Sequence, residues 1–270
     1  MEQQKRLRGR PKSFKNKSVE TRIQSLDRAL DVLSCVAKGS GMTLTEIADK
    51  LGQSPATIYR ILTTFAARDA LEMDPASQEW FIGPASFRIG SAFLRRSGLV
   101  ERARPIMRAL MFETGETANL GVENHGQVLF LSQVESDENI RAFFPPGTQS
   151  PMHASGIGKA LLAHADTKQI ENYIARENLD RFTENTICDQ NALRTELIAI
   201  KEQGYAFDNE EKSMGMRCVA APVFNSFGET VAGISISGPS ARLTLNRINS
   251  ICKVVIDQAN ALSQSMGYEG

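Results

Sequence analysis

The sequence predicts an α+β protein in two parts: a winged helix-turn-helix, then a linker helix, then a larger domain of strands and helices. Three observations predict it. Two short helices with strong start and stop signals fit into residues 43–65. A hairpin pattern closes that module by residue 82. Beyond residue 98, alternating strands mix with helical stretches and gather into an antiparallel sheet with helices on its faces. The expected divisions are therefore 1–22, a basic arm; 23–83, the winged helix-turn-helix; 84–98, the linker helix; and 99–270, the second domain.

The chain has 270 residues, enough for two domains with proper cores, and 41% hydrophobic and 23% charged residues place it among ordinary globular proteins. A formal net charge of zero hides an asymmetry. Residues 1–22 carry eight Lys and Arg against two acidic residues, whereas residues 101–270 carry fifteen against twenty-one. A basic arm ahead of the two-helix stretch attracts phosphate, and the acidic remainder avoids it. Arg8-Gly9-Arg10-Pro11 has the form of a minor-groove hook, with Arg8 and Arg10 as the contacting residues. The plainer alternative for residues 1–17 is a disordered, solubilising tail. No apolar run follows the basic residues, so a signal peptide is excluded, and no stretch reaches membrane-spanning length. Cys35, Cys188, Cys218 and Cys252 are isolated, which argues against a zinc ribbon or a secreted disulfide framework and for a reducing cytoplasm.

A helix over residues 25–36 is expected to pack through Leu26, Ala29, Leu30, Leu33 and Val36. Thr43 and Glu46 then form a capping box, Leu44, Ile47, Ala48 and Leu51 share one face, and Gly52 supplies a left-handed C-cap. Ser54 and Pro55 start the second helix as N-cap and first residue. Its inner face is Ile58, Ile61, Leu62 and Phe65. Its outer face is short-chained, hydroxylic and singly basic, which suits a DNA major groove. Ser54, Ala56, Thr57, Tyr59, Arg60 and Thr63 are the residues expected to meet DNA; the bland alternative is a helical hairpin with a solvated face. Asp74-Pro75-Ala76-Ser77 marks the turn of the wing. In the linker helix Phe87, Ile89, Phe93 and Leu94 make an apolar stripe, read as a dimer surface because such a helix has little else to bury against.

In the second domain, residues 99–112 are helical, with Pro105 expected to reset the helix start. Strands are expected at 117–123 and 127–135 around Asn124-His125-Gly126, at 140–144, and at 204–207, 217–225 and 229–237. Helices are expected at 156–163, 167–175, 190–203 and 245–266.

Four further stretches carry a resemblance: Pro151-Met-His-Ala-Ser-Gly-Ile-Gly-Lys-Ala160, Gly204-Tyr-Ala-Phe-Asp208, Gly215-Met-Arg-Cys-Val-Ala220 and Ala232-Gly-Ile-Ser-Ile-Ser-Gly-Pro239. With the winged-helix segment they make the chain resemble the IclR family of bacterial transcriptional regulators, over nearly its whole length after the arm. The resemblance implies a GAF-like effector domain, a homodimer or homotetramer, and binding to a double-stranded DNA operator under the control of a small 2-oxoacid such as glyoxylate. It implies no cofactor and no catalytic residues. It places the acid on the backbone amides of Gly156 and Ile157, with Asp208, Cys218, Ser235 and Ser237 around it; Ala142 and Ser150 stand in the loop wall where relatives carry larger apolar residues. The chemistry is compatible: a helix N-terminus offers unpaired N–H groups to an anion, and Ser235 and Ser237, two apart on a strand, share a face.

Rival readings are weaker. Ser-Gly-Ile-Gly-Lys from Ser155 lacks the spacing of a phosphate loop, and Lys159 is followed by Ala160 rather than Ser or Thr. Lys159 is either a counter-charge for the acid or a solvated helix side chain. His153 and Cys218 would be the pair in a cysteine-dependent hydrolase with a DNA-binding appendage, but a lone strand cysteine is more often a small buried hydrophobe. An architectural DNA-binding protein without a ligand leaves the polar Ser235/Ser237 face unexplained. The three histidines lack metal-ligand spacing, so no metal site is expected.

Overall fold

A computed structural model describes residues 23–95, 98–176 and 178–269; the arm arginines Arg8 and Arg10 lie outside the described residues. The chain divides between Phe93 and Leu94 into two compact units.

The first unit opens with α1 (Gln24–Lys38), then β1 (Met42–Thr43), α2 (Leu44–Leu51), α3 (Pro55–Ala66), β2 (Leu71–Met73) and β3 (Glu79–Ile82), and α4 (Pro84–Arg95) follows. The local signals act as expected. The Thr43 N–H donates to Glu46 Oε2 at 2.8 Å while Thr43 Oγ1 accepts from the Glu46 N–H, so both halves of the capping box form. Gly52 caps α2 at φ 60°, and Ser54 Oγ accepts the Thr57 N–H at the start of α3. Val32, Val36, Ile47, Ile58, Leu62, Leu71 and Trp80 fill the core. The sheet order is β1-β3-β2; the two-residue β1, paired through Met42 and Trp80, is too short to carry a pattern in the sequence. One expectation is corrected. Leu26 and Leu30 are 55% and 50% exposed, because the core begins at Val32 and the first turns of α1 extend past it. Phe87 and Ile89 of α4 are more exposed still.

The second unit runs α5 (Leu99–Thr114), β4 (Thr117–Asn124), β5 (Gln127–Val134), β6 (Gln149–Pro151), α6 (Gly156–Ala163), α7 (Thr167–Arg176), α8 (Gln190–Gln203), β7 (Ala206–Asn209), β8 (Met216–Phe224), β9 (Thr230–Pro239) and α9 (Leu245–Ser265). The six strands form one antiparallel sheet in the order β6-β5-β4-β9-β8-β7. One face packs on α5 and α9 through Leu110, Leu120, Val219, Ile234, Ile236 and Val255; the other packs on α6, α7 and α8 through Phe130, Ile157, Leu161, Ile174, Leu197 and Ala220. His125 and Gly126 both take positive φ in the β4–β5 turn, as a two-residue hairpin loop requires.

Two readings change here. Pro105 sits inside α5 instead of starting it. An interior proline costs about 3 kcal/mol in an isolated helix, and the burial of Leu99, Ala103, Met107 and Leu110 on both sides of it holds the helix in one piece. Residues 140–144 form a loop, not a strand; the sheet edge is β6 instead. The Ile140 carbonyl is taken by Arg242 Nη2 at 2.9 Å, and Pro145 and Pro146 have no N–H to give a ladder.

Candidate functional site

Two surfaces concentrate the candidate residues. On α3, Ser54, Ala56, Tyr59 and Arg60 are exposed, and Thr57 and Thr63 are half-buried. The hydroxyls are partly committed. Thr63 Oγ1 donates to the Tyr59 carbonyl at 2.9 Å, Thr64 Oγ1 donates to the Arg60 carbonyl at 2.6 Å, and Ser54 Oγ lies 2.9 Å from Thr57 Oγ1. Thr63 therefore presents an acceptor and a methyl outward, while Tyr59 and Arg60 supply the long donors of this face.

The second surface is a cavity of about 30 Å³ in the second unit, and Gly156, Ile157, Asp208, Cys218, Ser235 and Ser237 all line it. Strand register brings them together. Asp208 pairs with Cys218, Cys218 with Ser237, and Ser237 with Thr117, a row across four strands. Two residues along, Ala220 pairs with Ser235, Ser235 with Asn119, and Asn119 with Gln133. Residues opposite one another in an antiparallel sheet share a face, and so do residues two apart, so both rows look the same way. The start of α6 faces them: a Cβ on Gly156 would lie 2.8 Å from Cys218 Sγ. Only glycine allows this approach.

The electrostatics of the cavity follow from burial. Burial, with Glu211 nearby, pushes the Asp208 carboxyl up to about 7, against the N–H that Glu211 donates to its Oδ1 at 2.8 Å. Burial and the neighbouring Asp208 push the Cys218 thiol up to about 12. Near neutrality, then, Asp208 holds a proton for part of the time and Cys218 is a neutral thiol.

Lys159 is neither of the things expected of it. Every residue of α6 is buried, Lys159 fully, and its Nζ donates to Glu211 Oε1 at 2.7 Å, the Phe207 carbonyl at 2.7 Å and Glu196 Oε1 at 2.9 Å. All three ammonium hydrogens are spent on the protein's own acceptors.

The sequence model described as "Bacterial transcriptional regulator IclR C-terminal" matches residues 91–264, and "IclR helix-turn-helix domain" matches residues 25–75. The HTH-type transcriptional regulator BhcR of Paracoccus denitrificans is 55% identical over 244 residues, covering 90% of this chain and 88% of that one. This chain belongs to the IclR family. It is a DNA-binding transcriptional regulator, and the family's members are not enzymes. The crystal structure of Thermotoga maritima IclR superposes with a TM-score of 0.77 at 28% identity, covering 91% of this chain and 99% of that one. An IclR homologue from Microbacterium hydrocarbonoxydans, solved in complex with 4-hydroxybenzoate, shares the fold with a TM-score of 0.80 at 24% identity, over 90% and 98% of the two chains.

Within this IclR-family architecture His153 is a structural residue. The Tyr173 hydroxyl lies 3.1 Å from Nδ1 and also accepts the His153 backbone N–H at 3.0 Å, while Nε2 faces the Asp180 carbonyl at 3.1 Å. A ring held at both nitrogens, and a Cys218 thiol that burial pushes up to about 12, do not make a base and nucleophile for hydrolysis. Among the described residues no group of three or more His, Cys, Asp or Glu is arranged to hold a metal ion, and no helix is long and apolar enough to cross a membrane.

Sequence reasoning missed the amide that holds the two cavity serines of this IclR-family domain. Asn119 is fully buried, its Nδ2 reaching Ser237 Oγ at 3.2 Å and Ser235 Oγ at 3.5 Å, with Gln133 Nε2 donating to its Oδ1 at 3.0 Å. The available signal was a lone amide between Ala118 and Leu120 in the middle of a strand. The cavity's outer wall is aromatic: Phe130 and Phe144 stack at 4.9 Å and line it together with Ser150. Ala142 is buried but does not line the cavity.

Proposed function

We propose that a small 2-oxoacid such as glyoxylate, held in this cavity, controls the affinity of the helix-turn-helix for its operator. The observation that carries the reading is the convergence of the α6 N-terminus with the Asp208–Cys218–Ser237 row on a space of about 30 Å³. The first N–H groups of a helix have no partner within it, and the Gly156 and Ile157 amides would take the carboxylate. Protonated Asp208 and the two serines would hydrogen-bond the carbonyl or its hydrate. A space this small, walled by Phe130 and Phe144, favours acids of two or three carbons.

The regulator would act as a homodimer or homotetramer in the cytoplasm, where its DNA lies. The exposed Phe87 and Ile89 of α4 and Leu26 and Leu30 of α1 supply apolar surface for such an assembly. The test of the cavity is calorimetry with glyoxylate and pyruvate on the wild type and on Ser235→Val and Ser237→Val. Both substitutions are expected to weaken binding by about 1–3 kcal/mol, because buried polar partners lose their mates. Unchanged affinity in both would locate the acid elsewhere.

The protonation of Asp208 gives the binding a pH signature. As pH rises through about 7 the carboxyl ionises and repels the acid, so affinity should fall by up to about tenfold per pH unit between 7 and 9. The stability sign agrees: a raised folded pKa favours folding at low pH, and that contribution is lost as pH rises through about 7. Asp208→Asn should flatten both profiles; a variant as pH-dependent as the wild type would assign the effect to another group.

On the DNA side, Arg60→Ala is expected to weaken operator binding by about 1–3 kcal/mol if the guanidinium meets a base edge, with affinity for the acid unchanged. Equal weakening on operator and on unrelated DNA would make Arg60 a phosphate contact instead.

A further inference from the structure

We propose that Lys212 is the charge-neutralising residue of this cavity: its ammonium, which rests on the Phe182 ring, is the group that takes the carboxylate of an entering acid. The proposal rests on the cavity being the effector site. In this space a helix N-terminus offers an acid at most about half a positive charge, and Asp208, whenever it ionises, opposes even that. A full counter-charge must come from a side chain. Lys159 is nearby but has no hydrogen left to give. Among the described residues lining the cavity, Lys212 is the one cation.

Its placement suits the role. Lys212 Nζ lies 3.3 Å from the centroid of the Phe182 ring, and among the described residues it makes no ion pair within 4.0 Å. Burial lowers its pKa, with Asp180 opposing. The backbone just before Lys212, and that of Phe182, is pinned. Thr183 Oγ1 donates to the Glu210 carbonyl at 2.7 Å, Thr186 Oγ1 to the Glu211 carbonyl at 2.6 Å, and the Phe182 N–H to Thr186 Oγ1 at 3.0 Å. The root of Lys212 is thus fixed, and its four-carbon stem carries the motion. A charge-assisted hydrogen bond to a carboxylate is stronger than a cation–π contact, so an anion draws the ammonium off the ring, and a neutral molecule of the same shape does not.

The consequence is selectivity for anions. Calorimetry on the full chain would compare wild type, Lys212→Met and Lys212→Arg with glyoxylate, pyruvate and pyruvamide, the uncharged isostere of pyruvate. Methionine keeps an apolar stem over Phe182 and removes the charge. Lys212→Met should weaken both acids by about tenfold or more and pyruvamide by less than about twofold, whereas Lys212→Arg should stay within about threefold of wild type for the acids. Acid binding by Lys212→Met equal to wild type, or an equal loss for acid and amide, overturns the proposal. The Ser235→Val and Ser237→Val variants separate the two levels. If they lose the acids while Lys212→Met keeps them, only the role of Lys212 falls. If they keep the acids, or the wild type binds none, the cavity reading falls and this proposal with it.

Discussion

Lys159→Met is expected to destabilise the protein by about 3–5 kcal/mol, the usual cost of removing one partner from a buried ion pair. Burial alone would discharge Lys159, but Glu211 and Glu196 outweigh it and hold the ammonium charged, with its pKa raised. Methionine nearly matches the length and offers no hydrogen. The Phe207 carbonyl would lose its partner, and Glu211, whose Oε2 already lacks a hydrogen bond, would be left as an unpaired buried carboxyl. Glu196, with its side chain 32% exposed, can turn to water and adds less. For a unit of this size the loss corresponds to a fall in Tm on the order of 10 °C. Chemical denaturation measures it directly. Lys159→Met/Glu211→Gln should recover part of the loss by removing the stranded charge. A single variant within about 1 kcal/mol of wild type would show that the triad is not holding the domain together.

Gly156→Ala should abolish acid binding. The new Cβ would stand 2.8 Å from Cys218 Sγ, which can move only by rotating about one bond, and 3.3 Å from Ala220 Cβ, which cannot move without its backbone. Either α6 moves off the sheet or Cys218 turns into the cavity; overpacking of this kind costs about 1–3 kcal/mol of stability. Both routes displace the amides at the start of α6 or fill a space of only about 30 Å³. Acid affinity is expected to fall by more than about a hundredfold, about 2.7 kcal/mol. Adding Cys218→Ala should return room and part of the binding. An alanine variant with wild-type affinity would mean that the helix N-terminus does not hold the ligand.

The DNA-reading module was legible because its signals are local: a capping box, a left-handed glycine, a Ser-Pro start and a 3.6-residue apolar period each act within one or two turns. The cavity was legible only in part. Ser235 and Ser237 share a face by the two-residue period of a strand, but that Asp208 and Cys218 join them depends on the order β9-β8-β7, which no local pattern encodes. Asn119 comes from a strand more than a hundred residues away and was missed for the same reason. Lys159 was misread although its signal was present: Gly-Ile-Gly-Lys-Ala-Leu-Leu-Ala is apolar all round, and a helix with no polar face is buried together with whatever charge it carries. The 140–144 segment has strand-forming residues, yet Arg242 and two prolines take its backbone out of the ladder, a tertiary override of propensity.

The central claim is that an acid in the cavity changes the protein's grip on DNA, and operator binding measured with and without glyoxylate tests it most directly. A ligand can shift that equilibrium only by its differential affinity for the DNA-competent and DNA-incompetent arrangements, typically about 1–3 kcal/mol, or about 5- to 150-fold. Wild type should show a shift of that size with glyoxylate or another oxoacid of two or three carbons. The Ser235→Val/Ser237→Val variant should bind the operator alike with and without the acid. A variant that responds as fully as wild type, or a wild type whose operator affinity no such acid changes, would contradict the account.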